Sequence, residues 1–384
     1  MPAIPATADI VAELRTQAPA FAARAGDAER SRSAPAASVA TLQALGAHRL
    51  LQPRTFGGAE RGIRDHCEVV AAASEGCMAT GWCLAVWSAH NWMLAQLDAR
   101  GQAELWVTPD VRITASIVPR TRFESNADGV LVHGRFPFGS GADHAGAFAV
   151  GGIVEIEGAP QGVIAVLPAN AVTIDHESWQ VMGLRGTGSK DLLVREPVRV
   201  PWQRVLRMAE VSRRTAPGQA LPSAALYRAP FRPVAALVLA PPVLGAARAA
   251  LARFIERTAG HALPMAGMAS QRQDPAARLR VAEASAEIDG AELLLLRAAD
   301  DCDALGRRGE HDALAEARVL RDTAFAVRLC ARAVDRLFEA AGGSSLAEAE
   351  PLQRLWRDIM AARSHAVLTW DAAAQAYASA RVDK

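Results

Sequence analysis

Between Ile10 and about Trp106 the apolar residues recur mostly at helical spacing. In SVATLQALGAHRLL (Ser38 to Leu51), Val39, Leu42 and Leu45 form a stripe and Ser38 is placed to cap. The spacing predicts an N-terminal helical domain over residues 1–111. Near Arg112 the period shortens: ITASIV, VLVHGRF, AFAVGGIV, GVIAVLP and LLVREPVRV are short, partly alternating, β-branched runs separated by Gly, Pro, Asn and Asp. They predict a small β domain over 112–205. A Pro/Arg-rich stretch, Ala216 to Pro233, leads into long helical patterns broken at His261 to Pro264, Arg307 to Gly309 and Gly342 to Pro351. Leu293, Leu296 and Ala299 fall on one apolar side of such a pattern, so residues 206–384 are expected to form a helical bundle. The chain therefore reads as mainly α with a central β domain.

Its 384 residues, 51% of them hydrophobic, suffice for two or three domains at the usual ~150 residues each. Lys plus Arg (42) balance Asp plus Glu (41) without forming runs, so no field is expected to draw nucleic acid or a membrane surface, and a small neutral molecule is the expected partner. Cys67, Cys77, Cys83, Cys302 and Cys330 are odd in number and lack C-x-x-C spacing, which argues against disulfides and structural zinc and for free thiols in a reducing cytoplasm. The N-terminus has no basic-then-apolar signal pattern. No apolar run reaches the ~18 residues needed to span a bilayer, so a soluble protein is expected.

Five segments, in order, resemble the acyl-CoA dehydrogenase superfamily: GAHRLLQPRTFGGAE (Gly46 to Glu60), SEGCMATGWCLAVWSAH (Ser74 to His90), GRFPFGSGADHAGAFAVGG (Gly134 to Gly152), WQVMGLRGTGSKDLLV (Trp179 to Val194) and GGSSLAEAEPLQRLWRDIMAARSHAVLTWD (Gly342 to Asp371). The last is the most specific and is similar to the flavin monooxygenase branch, which includes the oxygenase components of hydroxyphenylacetate hydroxylase and dibenzothiophene monooxygenase. The resemblance covers nearly the whole chain. It implies a helical domain, a small β-barrel or sandwich and a helical bundle. It also implies a homotetramer whose active sites are completed by a neighbouring subunit.

What the resemblance implies for single residues centres on His365. In many dehydrogenases a related R-x-x-R-D helix leads within about two turns to a catalytic glutamate that removes a carbon-bound proton. Here the place after Asp358 holds His365 and Ala366, with no carboxylate until Asp371. In the monooxygenase branch this histidine is held to sit by the reactive flavin edge and stabilise the flavin hydroperoxide, a task for a titratable imidazole. A helix histidine satisfied at a domain contact is the plainer alternative.

Gly139-Ser140-Gly141 would let backbone approach a flat ring while Ser140 offers a hydroxyl, although on local chemistry alone it is equally a plain turn. Ser116 is carried over as a contact to the flavin pyrimidine. In the branch a histidine at the place of His90 can touch substrate. Trp87 beside it is a further substrate candidate, and core packing is the competing reading for both. His144 is expected to be a structural neighbour of the flavin loop. Arg272 in SQRQDP resembles an arginine that reaches flavin phosphate across a subunit interface, with Gly342, Gly343 and Ser344 as further donors, or simply a helix end.

GLRGTGSKD (Gly183 to Asp191) is not G-x-G-x-x-G and opens no strand–helix dinucleotide unit. With no nicotinamide motif, the expected source of electrons is reduced FMN or FAD that diffuses from a separate NAD(P)H-dependent flavin reductase. O2 is the expected co-substrate and a small aromatic the expected target. Two rivals remain: an acyl-CoA dehydrogenase-type flavin oxidoreductase, and a catalytically silent relative that only binds flavin or a partner.

Overall fold

Five helices open the chain: α1 (Thr7–Ser31), α2 (Ala36–Ala44), α3 (Ile63–Gly76), α4 (Met78–Leu94) and α5 (Ala99–Leu105). This computed structural model describes residues 3–220, 225–260 and 270–382. The expected break at His261 to Pro264 and the C-terminal Lys384 lie outside the described residues. Helix α2 starts earlier than its sequence signal, after Pro35, so Ser38 is not a cap. It is buried inside the helix, where it accepts a hydrogen bond from Arg24 Nη1 at 3.4 Å. Gly46, at φ 64°, stops the helical run, and only a short turn over Ala47–Arg49 comes after it. Helix α4, MATGWCLAVWSAHNWML, is apolar nearly all round, and 15 of its 17 residues are buried. A helix without a polar face must be enclosed, here by α3 and by elements from later in the chain.

The middle of the chain forms eight strands: β1 (Ile113–Arg122), β2 (Glu124–Asn126), β3 (Gly129–Gly139), β4 (Ala147–Ile156), β5 (Ala159–Pro168), β6 (Thr173–Asp175), β7 (Lys190–Pro201) and β8 (Val205–Arg207). They form two four-stranded sheets, ordered β1-β4-β5-β8 and β2-β3-β7-β6. Every pairing is antiparallel except β1 with β4. Phe123, Val132, Phe136, Phe148, Val150 and Leu192 share a second apolar core, separate from that of the helices.

The remaining helices are α6 (Met208–Arg213), α7 (Phe231–Leu239), α8 (Pro241–Gly260), α9 (Pro275–Arg308), α10 (Ala313–Ala341), α11 (Pro351–Ala362) and α12 (Trp370–Val382). Helix α4 packs against α7, α8 and β1. The long α9 ends at Gly309, at φ 72°, and α10 returns along it. Of the expected stripe on α9, Ala299 is buried and Leu296 packs partly buried against the core, while Leu293 lies outside it. Leu293 is 71% exposed, and the buried face is Ala291, Leu295, Ala298, Ala299 and Cys302, whose small side chains admit α10 closely. Four consecutive leucines, 293–296, satisfy more than one stripe, and the pattern alone does not choose. No uninterrupted apolar run reaches 18 residues, but Phe231–Gly260, across α7 and α8, is by length and overall composition apolar enough to cross a bilayer. Arg232 and Arg248 interrupt its apolar run, which is why counting uninterrupted residues missed it. Of its most apolar window, 78% is buried inside the fold, as befits a core helix.

The N-terminus of α3 is capped from far away. Asp303, on α9, accepts from the backbone N–H of Ile63 at 2.9 Å and of Arg64 at 3.4 Å. Gly62 makes room for it, since a Cβ there would lie 2.6 Å from Asp303 Oδ2. Asp303→Ala should lower stability by about 1–2 kcal/mol, the usual cost of losing a side-chain cap. Denaturant unfolding reads this, and an unchanged midpoint would show that the cap carries no weight.

Candidate active site

Four stretches distant in sequence meet beside α4. Trp82 and Cys83 point from α4 toward the end of β3 and the start of β7: Trp82 Nε1 donates to Ser140 Oγ at 3.2 Å, and Cys83 Sγ donates to Thr187 O at 3.5 Å. Ser140 Oγ lies 2.7 Å from Ser189 Oγ, which lies 2.6 Å from Thr187 Oγ1, and Thr187 Oγ1 donates to Leu184 O at 2.7 Å. Thr114 Oγ1 donates to Ser140 O, and Ser116 Oγ donates to Pro137 O at 2.6 Å. Gly141 has to be glycine: φ is 70°, and a Cβ would lie 2.6 Å from Trp87 Nε1. The fourth stretch brings His365, whose ring centre is 6.0 Å from that of Trp82. Trp82 thus touches both Ser140 and His365.

His365 precedes a short turn over Ala366–Leu368, and its Nδ1 accepts from Val367 N–H at 3.4 Å. The residue is solvent-exposed, yet the protein beside it desolvates the ring and lowers its pKa below the ordinary histidine value. The neutral ring that accepts at Nδ1 carries its proton on Nε2 and so offers an N–H. His90 is the converse. Burial lowers its pKa to about 4, and Nδ1–H donates to Ile113 O at 2.7 Å, leaving Nε2 an acceptor. Trp87 has no exposed surface. It lies under Gly141, edge-on to His144 and below the Arg112 guanidinium, so within this chain it buttresses the loop and meets no open cleft. His144 Nε2 donates to Ala34 O at 2.7 Å.

The other predicted residues gather at one end of the bundle. Gln271 Nε2 donates to Ala340 O at 2.9 Å, which sets the turn bearing the exposed Arg272 beside the end of α10. There Gly342 turns the chain at φ 73°, Gly343 faces open space and Ser344 Oγ accepts from Arg257, which also binds Glu350. A cavity of about 510 Å³ lies among Arg49, Arg54, Arg61, Gly57, Gly58 and Pro109, none of them a predicted site residue. Its guanidinium groups are occupied with backbone carbonyls of Gly57, Ala59 and Pro5. All five cysteines are buried and unpaired.

Sequence reasoning missed Trp82, Thr187, Ser189 and Asp358 as parts of the site. GTGS was weighed as a failed nucleotide motif and as part of the Trp179 to Val194 resemblance, and the R-x-x-R-D segment as the lead-in to His365, neither for the contacts of its side chains. In the fold that segment grips the loop before Thr187. Arg357 Nη1 donates to Met182 O, Asp358 Oδ1 accepts from Leu184 N at 2.6 Å, and Gly183 fits against the α11 backbone, where a Cβ would come within 2.2 Å of Arg357 O. Leu184 is held left-handed at φ 55°. Burial raises the Asp358 pKa from 3.8 to about 6, against the pull of the Leu184 N–H and the arginines beside it.

That rise costs roughly 3 kcal/mol of stability once the group ionises. A raised carboxyl pKa favours the protonated fold, so its contribution is complete below pH 3.8 and is lost as pH rises through about 6. Asp358→Asn keeps an acceptor for Leu184 N–H without ionising. The stability of the variant relative to the parent should therefore grow from pH 4 to pH 7, and a pH-independent difference in unfolding free energy would refute it.

The comparisons with known proteins identify the family. The family described as "Acyl-CoA dehydrogenase, C-terminal domain" matches residues 237–370. The flavin-dependent monooxygenase oxygenase subunit HsaA of Rhodococcus jostii (strain RHA1) is 34% identical, covering 91% of each chain. The oxygenase component of an FADH(2)-dependent resorcinol hydroxylase from Rhizobium sp. (strain MTP-10005) is 32% identical over 92% of this chain and 88% of its own. Among solved structures, 3-HSA hydroxylase from Rhodococcus sp. RHA1 superposes with a TM-score of 0.91 at 33% identity, covering 97% of this chain and 96% of that one. XiaF from Streptomyces sp., in complex with FADH2 and glycerol, superposes at 0.89 with 27% identity, covering 98% and 97%. Likeness of this extent, on the same fold from end to end, places the chain in the oxygenase subunits of flavin-dependent monooxygenases, within the acyl-CoA dehydrogenase superfamily.

Proposed function

We propose that the chain hydroxylates a small aromatic substrate with externally reduced flavin held against the Gly139–Gly141 loop, in the cytoplasm, where five unpaired thiols are at home. The observation that carries this is Trp82, which touches Ser140 on one side and His365 on the other. The loop suits a flat ring: Gly139 and Gly141 present no side chain, and the hydroxyls of Ser116 and Ser140 stand nearly buried with lone pairs to spare. A bound reduced flavin supplies two electrons and the place where O2 is activated.

The rest falls to this chain. His365 donates Nε2–H to the developing charge at the reacting oxygen. His90 Nε2 accepts from a substrate hydroxyl, the group that the resorcinol hydroxylase relative has on its substrate by name. Trp87 acts through Gly141 and not by touching substrate, while the apolar surroundings of α4 keep water out. Arg272, Gly343 and Ser344 hold the flavin phosphate of a neighbouring subunit. This supports a homotetramer, as do Leu279 and Leu293 on α9 and Leu346 beside the same turn, all more than 60% exposed in the single chain. Light scattering should give four copies, and a fully active monomer would contradict the shared site.

Two preparations test the function together. The parent chain should be inactive with NADH alone and hydroxylate when a flavin reductase is added. His365→Ala, with the same reductase, should fold and bind reduced flavin yet form product about a hundredfold more slowly, corresponding to ~3 kcal/mol. Oxygen uptake should continue, its electrons appearing as hydrogen peroxide. Coupling equal to that of the parent would reduce His365 to a structural residue.

A further inference from the structure

With the Thr187 hydroxyl donating to Leu184 O, its shortest carbonyl contact, counting hydrogens sets the direction of the other bonds in the hydroxyl chain. Trp82 Nε1 can only donate, so Ser140 Oγ accepts there at 3.2 Å. Thr187 spends its hydrogen on Leu184 O, 2.7 Å away, so in the 2.6 Å contact Ser189 is the donor. Ser189 then has no hydrogen left for Ser140, and in that 2.7 Å contact Ser140 donates. The chain therefore runs Trp82, Ser140, Ser189, Thr187, Leu184, and Ser140 keeps a lone pair but no hydrogen for a ligand.

The surrounding groups are spent in the same sense. Ser140 N–H donates to Phe138 O, Gly141 N–H to Thr187 O, and the Ser116 hydroxyl to Pro137 O. This loop offers acceptors. Reduction of a flavin puts hydrogen on a ring nitrogen that in the oxidised form is an acceptor, so an acceptor surface matches the reduced ring and opposes the oxidised one. Turning the chain round to free the Ser140 hydrogen is open to the protein, but it forfeits the Thr187–Leu184 bond. Leu184 O keeps the N–H donors of Trp179 and Thr187, so the reversal strands no buried group and costs the one short hydroxyl bond.

From this we infer that Ser189 and Thr187 are positioning residues, which act through Ser140 to make the site select reduced over oxidised flavin. Neither touches the flavin in this scheme, which rests on the reading that Ser140 faces the ring.

The test compares affinities and needs no turnover. Anaerobic titration with dithionite-reduced FMN, and aerobic titration with oxidised FMN, give a dissociation-constant ratio for each variant. The parent should prefer the reduced form. Ser189→Ala, which releases the Ser140 hydrogen, should shrink that preference about fivefold, the worth of one ordinary hydrogen bond. Thr187→Val removes the acceptor at the end of the chain and should act in the same direction through a different, nearly isosteric change. Ser189→Thr restores the hydroxyl and should restore the ratio. A parent without preference, or an unchanged ratio in Ser189→Ala and Thr187→Val, overturns the inference. Ser140→Ala then tells which claim failed: if it alters the ratio, Ser140 faces the flavin and only the relay is wrong, and if it does not, the placement of the flavin falls as well.

Discussion

Enclosing α4 is the constraint on which the other arrangements rest. Fifteen of its residues are buried, and a helix of this kind is stable only where neighbours cover it on every side. Helices α3, α7 and α8 supply part of that cover and β1 another part, which brings the β domain against the helical core. The site forms along that seam. Tryptophan is large enough to reach across it and carries one N–H that must be satisfied when buried, and Trp82 satisfies its own on Ser140. The same packing demand that excludes water from the core therefore fixes the loop where chemistry is proposed.

The two histidines of the site are made different by their surroundings alone. Both have pKa values lowered chiefly by desolvation. A backbone carbonyl at Nδ1 of His90 and a backbone N–H at Nδ1 of His365 then select opposite tautomers. One ring shows an acceptor and the other a donor without any charged partner being spent. The acceptor-only loop at Ser140 completes the pattern, since polarity throughout the site is set by who donates to whom and hardly by net charge.

How much of this was legible depended on the distance over which each determinant acts. Alternation in AFAVGGIV and GVIAVLP marks β4 and β5 because a strand's faces are set by its own residues. Gly141 and His365 stood out through the family resemblance, since on local chemistry alone one is equally a plain turn residue and the other a helix histidine. The cap on α3 did not, because Asp303 reaches Ile63 from 240 positions away. Nor did the order of Ser140, Ser189 and Thr187, which exists only after β3 and β7 have paired. Ser38 misled because Pro35 fixed an earlier start for α2, and Leu293 because a run of leucines fits several helix faces. The role proposed for Arg272 came from the likeness of SQRQDP to a family segment, since a contact between copies leaves no periodicity of its own in one chain.

The grip of Arg357 and Asp358 on the Met182–Leu184 loop also bears on the order of synthesis. Trp82, Ser140 and Ser189 leave the ribosome long before α11, yet the loop that ends their hydroxyl chain is clamped only when α11 docks. His365 comes directly after α11, so the donor proposed to control oxygen arrives together with the clamp. A partly made chain thus lacks both the finished cradle and its histidine. Clamp and histidine are acquired in one late step, with the C-terminal end of the chain, and not piecemeal as the cradle is laid down.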